Sequence, residues 1–249
     1  MLRLVKAVAG GGVGVGVLYG LLAAVLCGPA AAGEVRLQGQ AVLFKAQIGE
    51  VNTIVVTHQV TGEPGDPSTV AVKDSTAPIF AISPCTKNGN DTVVCTVQQP
   101  TFVSLDLGNK NDTASQTVVS SGQSLSLHIS GGLGNDTLSG GFKADIIDGG
   151  PDNDVINGDD GDDVLTGGAG NDQIRGGRDK DNIDGQLGDD PVLDGGAGND
   201  VIHGGPGNDH LTGGAGSDQL FGDAGRDTLS RRDGETDALD WGIGNETGV

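Results

Sequence analysis

From Gly131 onward one aliphatic residue recurs every nine positions, with mostly polar or β-branched neighbours on either side. The series is Leu138, Ile147, Ile156, Leu165, Ile174, Ile183, Leu193, Ile202, Leu211, Leu220 and Leu229; Leu193 arrives one place late, behind Pro191. A single apolar position with polar flanks predicts a three-residue strand whose central side chain alone points inward. A fixed short period predicts a solenoid. Upstream, residues 34–130 show no helical period but do alternate apolar and polar residues, the mark of half-buried strands. "SLSLHIS" puts Leu125, Leu127 and Ile129 on one face and Ser124, Ser126, His128 and Ser130 on the other. "FVSLDLG" aligns Val103, Leu105 and Leu107, and "TIVVTHQV" and "TVAVKD" read alike. "IGEVNTIVV" (Ile48–Val56) and "LGNKNDTAS" (Leu107–Ser115) look like degenerate turns of the later kind, so this segment is expected to be an irregular early part of the same stack. His58 and His128 stand alone and read as exposed strand residues rather than ligands.

The polar residues keep the same clock. Eleven units begin at Gly131, Gly140, Gly149, Gly158, Gly167, Gly176, Gly185, Gly195, Gly204, Gly213 and Gly222. Each carries an aspartate in sixth place: Asp136, Asp145, Asp154, Asp163, Asp172, Asp181, Asp190, Asp200, Asp209, Asp218 and Asp227. The first six residues read as a turn whose glycines permit positive φ, with Asp152 and Asp179 as tolerated replacements and Lys143 a poorer one. Two units make one coil with a strand on each side, so units two apart stack. Asp136 then lies near Asp154, and Asp154 near Asp172, at a strand spacing of ~4.8 Å. Carboxylates so close repel unless a cation lies between them.

Composition narrows the cation and the partners. Glycine numbers 46, aromatics make up 3%, and the net charge is −20, so a conventional core is hard to build and cations are natural partners. With Lys and Arg totalling 14, no basic patch for nucleic acid is expected. Calcium accepts six to eight oxygen ligands in loose geometry, and glycine turns expose carbonyls. Zinc would want His or Cys. His203 and His210 fall on consecutive units, hence on opposite sheets, and should not pair.

The pattern G-G-x-G-x-D-x-U-x, with U aliphatic, is matched fully by "GGLGNDTLS", "GGAGNDVIH" and "GGPGNDHLT". It resembles the RTX, or haemolysin-type, calcium-binding nonapeptide. The resemblance implies an all-β fold: a parallel β-roll of nonapeptide repeats preceded by an irregular β-rich segment. It implies that the eleven aspartates supply carboxylate ligands to Ca²⁺, completed by carbonyls of turn residues such as Gly195, Ala197, Gly204 and Pro206. Six turns on one edge and five on the other leave five and four gaps, hence up to nine ions. Weak sites are expected beside Lys143 and at the Pro191 insertion. Two departures stand out: family toxins and proteases usually carry a C-terminal export signal, and the repeats often accompany an enzymatic or pore-forming domain not found here.

Arg3 and Lys6, an apolar run from Ala7 to Leu26 and the small residues Ala30–Gly33 describe a secretory signal cut near Ala32. Retention as an anchor and lipidation of Cys27 are the competing readings. After cleavage no stable membrane insertion is expected. Cys85 and Cys95 remain and are expected to form a disulfide clamping a small hairpin. The resulting organisation is 1–32 signal, 33–130 β-rich segment, 131–230 β-roll, and 231–249 a worn turn and cap, with Trp241 over the open end. Three functions fit: a secreted calcium-binding β-roll with a structural or surface-interaction role, an adhesin or matrix component holding cell-surface polysaccharide, and a hydrolase or polysaccharide-modifying enzyme in residues 34–130. No catalytic motif supports the last. Oligomeric state is not legible.

Overall fold

The computed structural model describes residues 33–38, 41–46, 51–60, 68–74, 79–81, 85–87, 92–97, 102–118, 124–231, 236–244 and 247–248. The expected signal segment lies outside them. Among the described residues no helix is long and apolar enough to cross a membrane.

Two sheets face each other along the stack. One runs from Ala238–Asp240 through Gln219–Phe221, Val201–His203, Asn182–Leu187, Val164–Ala169, Ile146–Pro151 and Ser126–Ser130 to Phe102–Asp106 and Ala41–Lys45. The other runs from Thr228–Ser230 through His210–Ala215, Val192–Ala197, Gln173–Arg178, Val155–Asp160 and Thr137–Gly141 to Thr113–Val118 and Thr53–Val60. All these neighbours pair in parallel, and the register advances by two units per coil, as in Ile156↔Ile174 and Leu165↔Ile183. The segment before residue 131 is thus an early part of the same stack, as its alternation suggested. It closes with antiparallel strands: Gly33–Gln38 pairs with Ala41–Lys45, and Ser68–Asp74 pairs with both Thr53–Val60 and Thr92–Val97.

The eighth-place aliphatics of both sheets meet inside. Leu138, Ile147, Ile156, Leu165, Ile174, Ile183, Leu193, Ile202, Leu211, Leu220 and Leu229 are all buried and join Val103, Leu105, Leu127 and Ile129 in one continuous core. At the far end Leu239 and Trp241 are partly buried against it. A core one side chain deep per strand has no second layer to fill a gap. Ile174→Ala, at mid-stack, is expected to cost about 2–5 kcal/mol, seen as a lower denaturant midpoint in calcium.

Two expectations need correction. The full-length strands of the roll hold six residues, as in Val155–Asp160 and Gln173–Arg178, not three. They run on through the first three places of the next unit, so the first-place glycine also faces inward and is buried. His58, read as exposed, is buried at 4% exposure, because the alternation of Thr53–Val60 puts it on the inward face with Ile54 and Val56.

Cys85 and Cys95 form a disulfide. It ties the antiparallel pair Thr86–Lys87 and Thr92–Val97, the hairpin expected, with both cysteines buried. Reduction is expected to destabilise this end by about 2–3 kcal/mol through loop-closure entropy. Amide exchange should quicken in Ser68–Asp74 and Thr92–Val97 and stay unchanged beyond residue 131.

Candidate metal site in the turns

All eleven sixth-place aspartates are buried, at 0–2% exposure. The fold sorts them into two columns, one along each edge of the roll. Within a column every carboxylate touches the coil before it: Oδ1 of Asp154 accepts the backbone N–H of Asp136 at 2.7 Å, and Oδ1 of Asp172 that of Asp154 at 2.8 Å. The chain of bonds continues through Asp190, Asp209 and Asp227. On the opposite edge it runs through Asp145, Asp163, Asp181, Asp200 and Asp218. Stacked aspartates are therefore linked by charge-assisted bonds to backbone, which repetition alone did not reveal.

The second carboxylate oxygen has no such bond. Among the described residues Oδ2 of Asp136, Asp145, Asp154, Asp163, Asp172, Asp181, Asp190, Asp200 and Asp209 is buried and unpartnered. A buried polar atom without a partner is costly and rare enough to require an explanation. The first-place glycine shows where these oxygens point. A Cβ on Gly149 would fall within 3 Å of both Asp154 Oδ2 and the carbonyl oxygen of Gly167 in the next coil. The same pair of oxygens surrounds Gly131, Gly140, Gly158, Gly167, Gly176, Gly185, Gly195 and Gly204. Second-place glycines carry a further carbonyl row: Gly132 O abuts Gly150, and Gly150 O abuts Gly168, at positions with φ of +107° and +115° that only glycine adopts freely. Asp152 and Asp179 do take positive φ in fourth place, as expected, and so does Lys110, at 101°. Lys143 does not join them.

Burial raises these carboxyls. Asp181 is pushed up to about 8, chiefly by desolvation and then by Asp163 and Asp200. Desolvation likewise lifts Asp145, Asp154 and Asp209 to about 7. Asp136, Asp163, Asp190 and Asp200 rise to about 6, and Asp172 rises too. The bond from the preceding N–H opposes the shift in every case but does not overcome it.

Among the described residues no group of three or more His, Cys, Asp or Glu side chains gathers. An ion held here would take a carboxylate oxygen and several backbone carbonyls, an all-oxygen set that suits a hard, loosely coordinated cation. The donors fit calcium. Of the third-place carbonyls expected to help, Pro206 O already accepts the N–H of Gly188 at 3.1 Å and would have to use its other lone pair. His203 and His210 lie on opposite sheets; His203 instead stacks on Phe221 and meets Asp223 at 3.1 Å. Pro191 enters directly after Asp190, where other units donate an N–H to the stacked aspartate's carbonyl, and proline has none to give.

Three column members escaped the sequence pattern. Asn52 donates its backbone N–H to Asp112 Oδ1, Asp112 donates to Asp136, and Asp218 donates to Asp237. Asp112 precedes the buried Ala114 by two places and Asp237 precedes Leu239 by two, the repeat's own spacing without its first-place glycine. A fifth-place ladder was also missed. Asn111, Asn135, Asn153 and Asn171 each bond through a side-chain oxygen to the backbone N–H of the next coil, at 2.6–3.2 Å.

If the first-place glycine exists to make room for Oδ2 and its carbonyl neighbour, Gly176→Ala should block one gap. It is expected to destabilise the roll by about 1–3 kcal/mol and to shift the calcium midpoint for folding upward.

The fold and its turns define a parallel β-roll of glycine–aspartate nonapeptides. The family model for the RTX calcium-binding nonapeptide repeat (4 copies) matches residues 130–165, 157–190 and 194–229. No curated protein is significantly similar to the chain. Those residues are RTX-type calcium-binding repeats folded as a β-roll, which supports a calcium-binding structural protein.

Proposed function

We propose that the protein is secreted, that its roll is completed by extracellular calcium, and that the folded roll serves a structural or surface-interaction role outside the cell. The buried, unpartnered Oδ2 atoms along both edges carry the reading. Asp136, Asp145, Asp154, Asp163, Asp172, Asp181, Asp190, Asp200, Asp209, Asp218 and Asp227 would hold the ions, with carbonyls of the glycine turns. Bound calcium supplies positive charge that neutralises the desolvated carboxylates and ties successive coils together. The signal-like start and the disulfide favour an exported chain. Extracellular calcium modules typically bind at about 10⁻⁴–10⁻³ M, so such a roll would stay open in the cell and close outside it.

Titration calorimetry of the mature chain tests this. Uptake of several ions, up to the nine that the paired turns allow, is expected. One ion or none would sink the reading. Neutralising one member, as in Asp172→Asn, should remove ions from its own edge and leave the other edge filled.

A further inference from the structure

Large or charged third-place residues cluster in one group of turns. Third-place residues are small or apolar in most turns: Leu133, Pro151, Ala169, Leu187, Ala197, Pro206, Ala215 and Ala224. The exceptions are Phe142, Asp160 and Arg178, and they fall in three turns stacked directly on one another. Between them lies a cavity of about 590 Å³, lined also by Gln116, Ser139, Gly141, Asp159 and Gly177. That volume suits a small ligand.

Each wall has a definite chemistry. The Phe142 ring is 57% exposed, against a general rule that aromatics bury. Asp159 occupies a second place where glycine is usual and adopts φ of 75°, as Gln186 and Asp223 do in theirs. Its carboxylate is held by the Ser139 hydroxyl, which donates to Oδ2 at 2.6 Å. Arg178 donates to Asp160 at 3.2 Å. Gln116 gives its amide N–H to Leu125 O, while its buried Oε1 has no partner. A Cβ on Gly141 would meet that oxygen at 3.0 Å, so glycine leaves the floor open.

We propose that this cavity is a saccharide subsite, binding a neutral hexopyranose chain. An exposed ring offers its negative face to the C–H edge of a pyranose. Asp159 and Asp160 accept sugar hydroxyls, and Arg178 donates to them. Asp159 and Asp160 in the cavity walls disfavour acidic polysaccharides. The site rests on the roll being folded, hence on the calcium reading above, and circular dichroism of each sample separates the two failures.

The test is calorimetry of the full calcium-loaded chain with gluco-, manno- and galacto-hexasaccharides, and with polygalacturonate for comparison. At least one neutral hexasaccharide should bind. Phe142→Ala should weaken it about tenfold or more, and Phe142→Tyr should restore it. Asp159→Gly should weaken binding while raising the roll's denaturant midpoint, a divergence that a merely structural residue would not produce. No binding by a folded sample at about 10 mM sugar, equal binding by Phe142→Ala, or binding of polygalacturonate alone would overturn the proposal.

Discussion

In chelator at neutral pH the mature chain is expected to lose most of its β-signal, and millimolar calcium is expected to restore it. The reason lies in the balance between a thin core and a costly backbone. Each strand contributes one aliphatic to the interior, while the 46 glycines lose more conformational entropy than any other residue type. Against this stand two columns of buried carboxylates, in which the Oδ2 atoms of Asp136 to Asp209 find no donor among the described residues. A ligand that binds only the folded state adds about 2.7 kcal/mol per site at a hundredfold excess over its dissociation constant. Several such sites exceed the 5–15 kcal/mol typical of a whole domain (~0.1 kcal/mol per residue). Magnesium, which needs tighter octahedral geometry and keeps its water, should not substitute. Far-ultraviolet circular dichroism against each ion decides the matter. A chelated sample already rich in β-signal would show that the columns need no cation.

Protons should replace calcium in part. Asp136, Asp145, Asp154, Asp163, Asp181, Asp190, Asp200 and Asp209 have folded-state values raised to about 6, 7 or 8, chiefly by desolvation, against about 3.9 in an unfolded chain. Between those limits the folded state binds more protons, so stability falls as pH rises. This contribution is fully present below about pH 4 and is lost as pH passes through the folded values. A calcium-free sample should therefore recover β-structure on acidification from about pH 8 toward pH 5. In calcium the sign reverses, because protons compete for the same oxygens: the folding midpoint should move to higher calcium below about pH 6. Protein–calcium mixing in weak buffer should release protons. A calcium-free chain equally unfolded at both ends of that range would contradict the burial of these carboxyls.

Much of the roll was legible because each unit repeats its own physical solution. Every eighth-place aliphatic proved buried, and every sixth-place aspartate lies in one of two columns. The early segment's membership of the stack was visible in the alternation at Leu125–Ile129 and in the turn at Leu107–Ser115. Strand length was not. The first-place glycine reads as a turn residue, and only the pairing of Asn157 with Arg175 and of Asp159 with Gly177 shows the strand continuing past it. Asn52, Asp112 and Asp237 escaped because they keep the column's spacing without the first-place glycine that marks it. His58 was misread although the alternation of its own strand places it on the inward face with Ile54 and Val56.

Period, core positions, coil size and the hard-cation chemistry of the turns were determined by the sequence alone, since each depends on residues nine or eighteen apart and repeats until chance is excluded. What only the tertiary structure decided is how carboxylate oxygens divide their work, one bonding the preceding coil and one left over. It also decided which irregular turns stack into a single cavity. Both depend on contacts across coils, where direction and distance matter and residue type alone is silent.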